Sequence, residues 1–117
     1  MSLIANTVVG FVALLHVGFL VLEMFLWDHP FGRKQFGMTP EYSKASASLA
    51  ANQGLYNGFL SAGLVWGLVI DDFAVKTFFL ICVLIAGLYG SITAKRSILY
   101  MQALPGLLGL ILVYLAR

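Results

Sequence analysis

The chain has 117 residues, of which 61% are hydrophobic and 10% charged, and seven basic against five acidic side chains give a net charge of +2 at pH 7. A soluble domain of this size carries about a quarter charged residues because its surface faces water, so the composition argues against a soluble fold and for an all-α integral membrane protein. The small charge, scattered over loops, gives nucleic acid no basic footprint, and the lone Cys82 rules out an internal disulfide or a paired-thiol metal site.

The N-terminal MSLIANTVVGF has no Lys or Arg ahead of its apolar run, which continues for the length of a full span. It is read as a retained first transmembrane helix rather than a cleaved leader. A hydrocarbon core of about 30 Å needs about 20 apolar residues. Four segments qualify, at about 3–27, 49–70, 73–94 and 97–116 of a single domain covering 1–117. The connections DD and AKRS are too short for anything but antiparallel neighbours, so an antiparallel four-helix bundle is predicted. In the first span, at about 100° per residue, His16, Glu23 and Trp27 share a face with Val9 and Leu20. His16 and Glu23 lie about 10 Å apart along the axis, too far for a direct hydrogen bond but able to line one groove.

The stretch HPFGRKQFG between the first two spans reads as an interfacial turn, with its Pro, glycines and aromatics. In MTPEY, Thr39 is a candidate N-cap, Pro40 suits the first helical position, and Glu41 complements the helix dipole. The second helix is expected to begin there with a polar lead-in, EYSKASAS, at the membrane surface. Further on, NQGLYNG supplies Asn52, Gln53, Tyr56 and Asn57 within two turns. The third span ends with Tyr89, Thr93 and Arg96 on one face; the fourth begins with Gln102 and is expected to kink at Pro105. Gly54, Gly58 and Ala62, Gly63 with Gly67, and Ala86, Gly90 and Ala94 have the small-residue spacing that lets helices approach closely.

Arg33, Lys34, Lys44, Lys95 and Arg96 fall in loops on one side, against Lys76 and Arg117 with Asp71 and Asp72 on the other. The positive-inside rule then puts both termini outside and the long first loop in the cytoplasm. All four spans deliver polar groups to the cytoplasmic half. A charged side chain facing lipid costs about 2.5–3.5 kcal/mol, so these residues are expected to turn inward around a cavity open to the cytoplasm. Its candidate ligand-binding residues are His16, Glu23, Trp27, Asn52, Gln53, Tyr56, Asn57, Tyr89, Thr93 and Gln102. A plainer reading stays open for each: Glu23 could snorkel or pair with Arg33, Lys34 or Arg96, His16 could bond Asn57 or a carbonyl, and the amides could satisfy neighbouring helices.

The motifs H-x6-E-M-F-x-W, G-R-x-x-F-G-x-T-P-E and A-N-Q-G-L-Y-N-G-F-L, spread over HVGFLVLEMFLWDHPFGRKQFGMTPE and AANQGLYNGFLSAGLVWGL, resemble the domain-of-unknown-function family numbered 1304. The likeness covers nearly the whole chain. Its motif positions fall on His16, Glu23, Trp27, Gly32, Arg33, Phe36, Thr39, Glu41, Asn52, Gln53, Tyr56 and Asn57. The resemblance implies a small four-helix bacterial inner-membrane protein and carries no established activity.

Three functions compete. A buried carboxylate can take a proton or an organic cation, which favours binding or transport of a small molecule, with His16 as a proton relay. A homodimer fits this reading, since four helices around one cavity leave little wall for a path. Alternatively, the polar cluster only packs helices in an accessory membrane protein whose GRKQFG loop meets a partner or anionic lipid. Thirdly, Glu23 and His16 could act as an acid–base pair on a lipophilic substrate. No cofactor or metal is expected, because one His, one Glu and an amide make too small a ligand set.

Overall fold

Apolar runs punctuated by Pro, Gly and Asp set the helix boundaries, and the computed structural model, which describes residues 2–117, follows that punctuation. The first residue of the expected 1–117 domain lies outside the described residues. Helix α1 is Leu3–Met24, α2 Pro30–Phe36, α3 Pro40–Val69, α4 Phe73–Thr93, and a π turn at Leu99–Ala103 leads into α5, Leu104–Leu115. The fold is all-α, with no strand among the described residues. By length and composition α1 and α4 can each cross a membrane, and Leu99–Leu115 is a shorter apolar helical stretch.

Several boundaries have visible causes. Thr39 accepts the Tyr42 N–H at its hydroxyl (3.1 Å), and Pro40 opens α3, as the sequence predicts. The polar lead-in EYSKASAS forms the first turns of one 30-residue helix, as expected. Asp72 caps α4 through the Val75 N–H at 2.8 Å. The stretch read as a turn is instead α2: His29 Nδ1 accepts the Phe31 N–H (3.2 Å), Pro30 is the first helical residue, and Gly37 closes the helix in the left-handed region at φ 61°. Ahead of Pro105, which has no N–H to give the carbonyl four residues back, the Leu104 N–H donates to the Leu99 carbonyl. The expected irregularity thus takes the form of a π turn.

The chain forms two compact units. One joins the part of α1 up to Leu14 with Leu60–Arg117; the other is Leu15–Phe59. The core of the first is Ala5, Val9, Val12, Ala13, Leu64, Leu80, Val83 and Val113, flanked by Leu60, Leu68, Phe79 and Leu110. Small residues let its helices touch. A Cβ on Gly63 would collide with the Phe79 ring, and one on Gly87 would collide with the backbone of Ala103. Gly106 and Gly109 sit against Val83 and Leu80. The buried Ser61 hydroxyl donates to the Ala13 carbonyl at 2.9 Å, tying α3 to α1.

In the second unit the rest of α1 packs on the first half of α3. A Cβ on Gly54 would lie 2.6 Å from Met24 Cγ and 3.1 Å from Glu23 Cβ, and one on Gly58 would meet Leu20. Gly32 tucks α2 under the carbonyls of Leu26 and Trp27, where any Cβ would clash. Of the predicted small-residue rows, the two in α3 are close-contact sites at their glycines. In α4 the buried small residue is Gly87, while Ala86 and Ala94 are exposed.

Candidate functional site

The close approach at Gly54 determines the chemistry of the second unit. With no side chain there, α3 comes near enough to α1 for Asn57, one turn further on, to donate from Nδ2 to Glu23 Oε1 at 2.5 Å. Asn57 is buried and Glu23 half-buried. The second carboxylate oxygen of Glu23 has no hydrogen-bond partner among the described residues and is not sealed from the outside. His16, two turns earlier on α1, is fully buried and stands edge-on to the Phe19 ring, with centroids 5.1 Å apart. Just past the end of α1 the Trp27 indole N–H donates to Ser46 Oγ (3.0 Å), and its ring leans on Phe36 of α2 at 4.9 Å.

A charged group adjoins this polar seam. The Ser43 hydroxyl donates to Asp28 Oδ1 at 2.6 Å; Arg33 approaches the same oxygen with Nε at 3.5 Å and donates from its terminal nitrogen to the Asp28 carbonyl at 2.9 Å. The Ser43 hydrogen bond, then the Arg33 charge, holds the Asp28 carboxyl below the usual carboxylate range. Trp27, Asp28 and Glu23 therefore each bond a side chain of α3: Ser46, Ser43 and Asn57. Asp28, Ser43 and Ser46 are absent from the sequence-based site. The spacing of Ser43 and Ser46 on the entry turns of α3, opposite an Asp directly after the first span, is the signal that could have found them.

The other expected residues go elsewhere. Asn52, Gln53 and Tyr56 lie on the exposed face of α3, away from Glu23, and Asn52 Nδ2 donates to its own helix at the Ser48 carbonyl (3.2 Å). Tyr89, Thr93 and Gln102 belong to the first unit. Tyr89 and Thr93 are exposed, with the Thr93 hydroxyl donating to the Tyr89 carbonyl at 2.8 Å, and Gln102 is half-buried in the π turn. Arg33 turns to Asp28 rather than to Glu23.

The first unit holds a polar cluster the sequence reading did not foresee. Lys76, in the second turn of α4, is fully buried and donates from Nζ to Asp71 Oδ1 (2.7 Å) and Asn6 Oδ1 (3.0 Å). The Lys76 hydrogen bond and charge pull the Asp71 carboxyl below its usual range. A Lys one turn inside an apolar helix and just after two aspartates is the pattern that could have marked it. Two shallow apolar grooves in this unit, one lined by Phe73, Thr77, Leu110 and Tyr114 and the other by Trp66, Val75, Phe78 and Phe79, contain none of the candidate residues. Among the described residues no group of three or more His, Cys, Asp or Glu is placed to hold a metal.

No solved structure matches the chain. It is similar to the uncharacterised protein YpaA of Lactococcus lactis subsp. lactis strain IL1403, 29% identical over 96 residues, which is 79% of this chain and 81% of the relative. The family described as "Protein of unknown function (DUF1304)" matches residues 10–114. That range takes in the Glu23–Asn57 pair, the Trp27 and Asp28 contacts to α3, and the Lys76 cluster. By a match over nearly its full length, the chain belongs to this family of unknown function.

Proposed function

We propose that the chain is a four-span protein of the bacterial cytoplasmic membrane, the four-helix membrane bundle expected from its sequence, and that it binds or moves a small cationic or proton-donating molecule at Glu23. The span lengths of α1 and α4 and the apolar Leu99–Leu115 stretch support the membrane setting. Asn57 and the second half of α3 would supply the remaining crossing. Charge asymmetry of the loops supports both termini outside.

The observation that carries the binding reading is the Glu23 carboxylate, with one oxygen held by Asn57 and the other accessible and unpartnered among the described residues. A carboxylate within a membrane helix is unfavourable unless it meets a cation, a proton or a donor. Asn57 satisfies half of that need and fixes the direction of the free oxygen. A ligand with an ammonium or N–H group would satisfy the other half.

A second reading is favoured by the three contacts from Trp27, Asp28 and Glu23 to side chains of α3. In that reading the polar residues only fasten helices. Native mass spectrometry of mildly extracted protein separates the two. Binding at Glu23 predicts a small molecule retained by wild type and lost in Glu23→Gln. A bare chain in both, together with a lower melting temperature for Glu23→Gln, would leave fastening as the role.

A further inference from the structure

The contact with Glu23 uses only half of the Asn57 amide. An ionised carboxylate has no proton to give, so the amide turns its nitrogen to Glu23 Oε1 and its oxygen away. That oxygen, Asn57 Oδ1, has no hydrogen-bond partner among the described residues and is not sealed from the outside. The residue as a whole is 7% accessible. The second Glu23 oxygen is likewise unpartnered among the described residues and reachable. Each of these oxygens shares a carbon with one atom of the Glu23–Asn57 bond, so the two acceptors flank it.

The pair is held by the helices that carry it. A Cβ on Gly54 would press on Met24 and Glu23, and one on Gly58 would lie 2.7 Å from Leu20 Cδ1. Helix α3 thus meets α1 closely on either side of Asn57. One acceptor is charged and the other neutral, so a ligand that covers both must bring a positive charge and two donors. Calcium and magnesium ask for about six oxygens, more than this pair offers. A quaternary ammonium brings the charge but no N–H. It would leave a mostly buried amide oxygen without a donor, which costs about tenfold in affinity. A primary ammonium has three N–H groups and a guanidinium five.

We infer that the Glu23 site selects organic cations with at least two N–H donors, one taken by Glu23 and one by Asn57 Oδ1, and that Asn57 determines this specificity. The inference rests on the reading of Glu23 as a cation site and adds the class of cation.

Calorimetric titration of the full chain in lipid nanodiscs tests it, with hexylammonium and hexyltrimethylammonium as probes. The two share one charge and one alkyl chain and differ in their N–H groups; empty nanodiscs give the partition of each into lipid. Wild type is expected to bind hexylammonium about tenfold more tightly, the contribution of the second hydrogen bond. Asn57→Leu, close in shape, should bring that ratio near one, and Glu23→Gln should bind neither probe above empty nanodiscs. Because the ratio compares two probes on the same sample, loss of folded protein in a variant does not move it. A wild-type ratio near one or below, or a ratio unchanged in Asn57→Leu, overturns the two-donor selection and leaves Glu23 as a plain cation site. Binding of neither probe by wild type, with water alone on the two oxygens, overturns the Glu23 reading itself.

Discussion

Lys76 shows how much one side chain can demand of its surroundings. Its stem lies against Gly67, where an added Cβ would come within 2.8 Å of Lys76 Cγ, so only glycine leaves room for it. Asp71 adopts φ 49°, a left-handed conformation unusual outside glycine, and this places its carboxylate on the ammonium. Burying an ion pair gives little net stability, because desolvation offsets the attraction, whereas removing one partner strands the other. Here the two partners differ: Lys76 is fully buried and the Asp71 side chain is 54% exposed. Lys76→Met, similar in volume and apolar, should leave the melting temperature unchanged or raised, since the Asp71 carboxylate can turn outward. Asp71→Asn should lower it, because the buried ammonium loses the carboxylate charge held 2.7 Å from it. Thermal unfolding of both variants checks this; a larger loss for Lys76→Met would mean the pair is a net stabiliser.

At the scale of elements, the helices touch where glycines face backbone. A Cβ at Gly87 has no space, because Ala103 is backbone at the π turn and cannot yield as a flexible side chain would. At Gly10 a Cβ meets nothing within 4 Å. Gly87→Ala should therefore destabilise by about 1–3 kcal/mol through overpacking, and Gly10→Ala should stabilise by up to about 1 kcal/mol through helix propensity. Opposite signs from the same substitution, measured by denaturant or thermal unfolding, would confirm that the Gly87 contact holds α4 to the π turn; equal signs would refute it. The sequence revealed these elements unevenly. Apolar length gave the long helices, and Thr39–Pro40 gave the start of α3. The seven-residue α2 was missed because its start and stop signals, His29–Pro30 and Gly37, are also those of a turn. The tight row in α4 was assigned to Ala86 rather than Gly87 because a one-residue change turns the face by about 100° and nothing in so apolar a helix marks which face is inside.

Across the whole molecule the same ambiguity decides how much of the site could be read. The Glu23–Asn57 pair joins two residues chosen from sequence, whereas Asn52, Gln53 and Tyr56 were grouped with them although they face outward. Helix α3 carries polar residues on both faces, so periodicity could not orient it. Asp28, outside the sequence-based site, and Asp71, counted there among the loop charges, are each held by specific partners: Ser43 and Arg33 for the first, Lys76 for the second. Both carboxyls are more acidic in the folded chain than the ordinary value of 3.8. Their unfolded forms therefore bind protons at a higher pH than the folded forms do. The stability they contribute is complete above that ordinary value and is lost as pH falls through the lower, folded values. The melting temperature should show no dependence on these two groups between about pH 5 and 8, and should fall on acidification below about pH 4. Asp28→Asn and Asp71→Asn should each start from a lower plateau and show a shallower acid limb, since each removes one of the groups that must be protonated. Melting curves from neutral to acid pH measure this. An acid limb as steep in both variants as in wild type would place the acid sensitivity elsewhere and leave the Ser43 and Lys76 contacts without energetic weight.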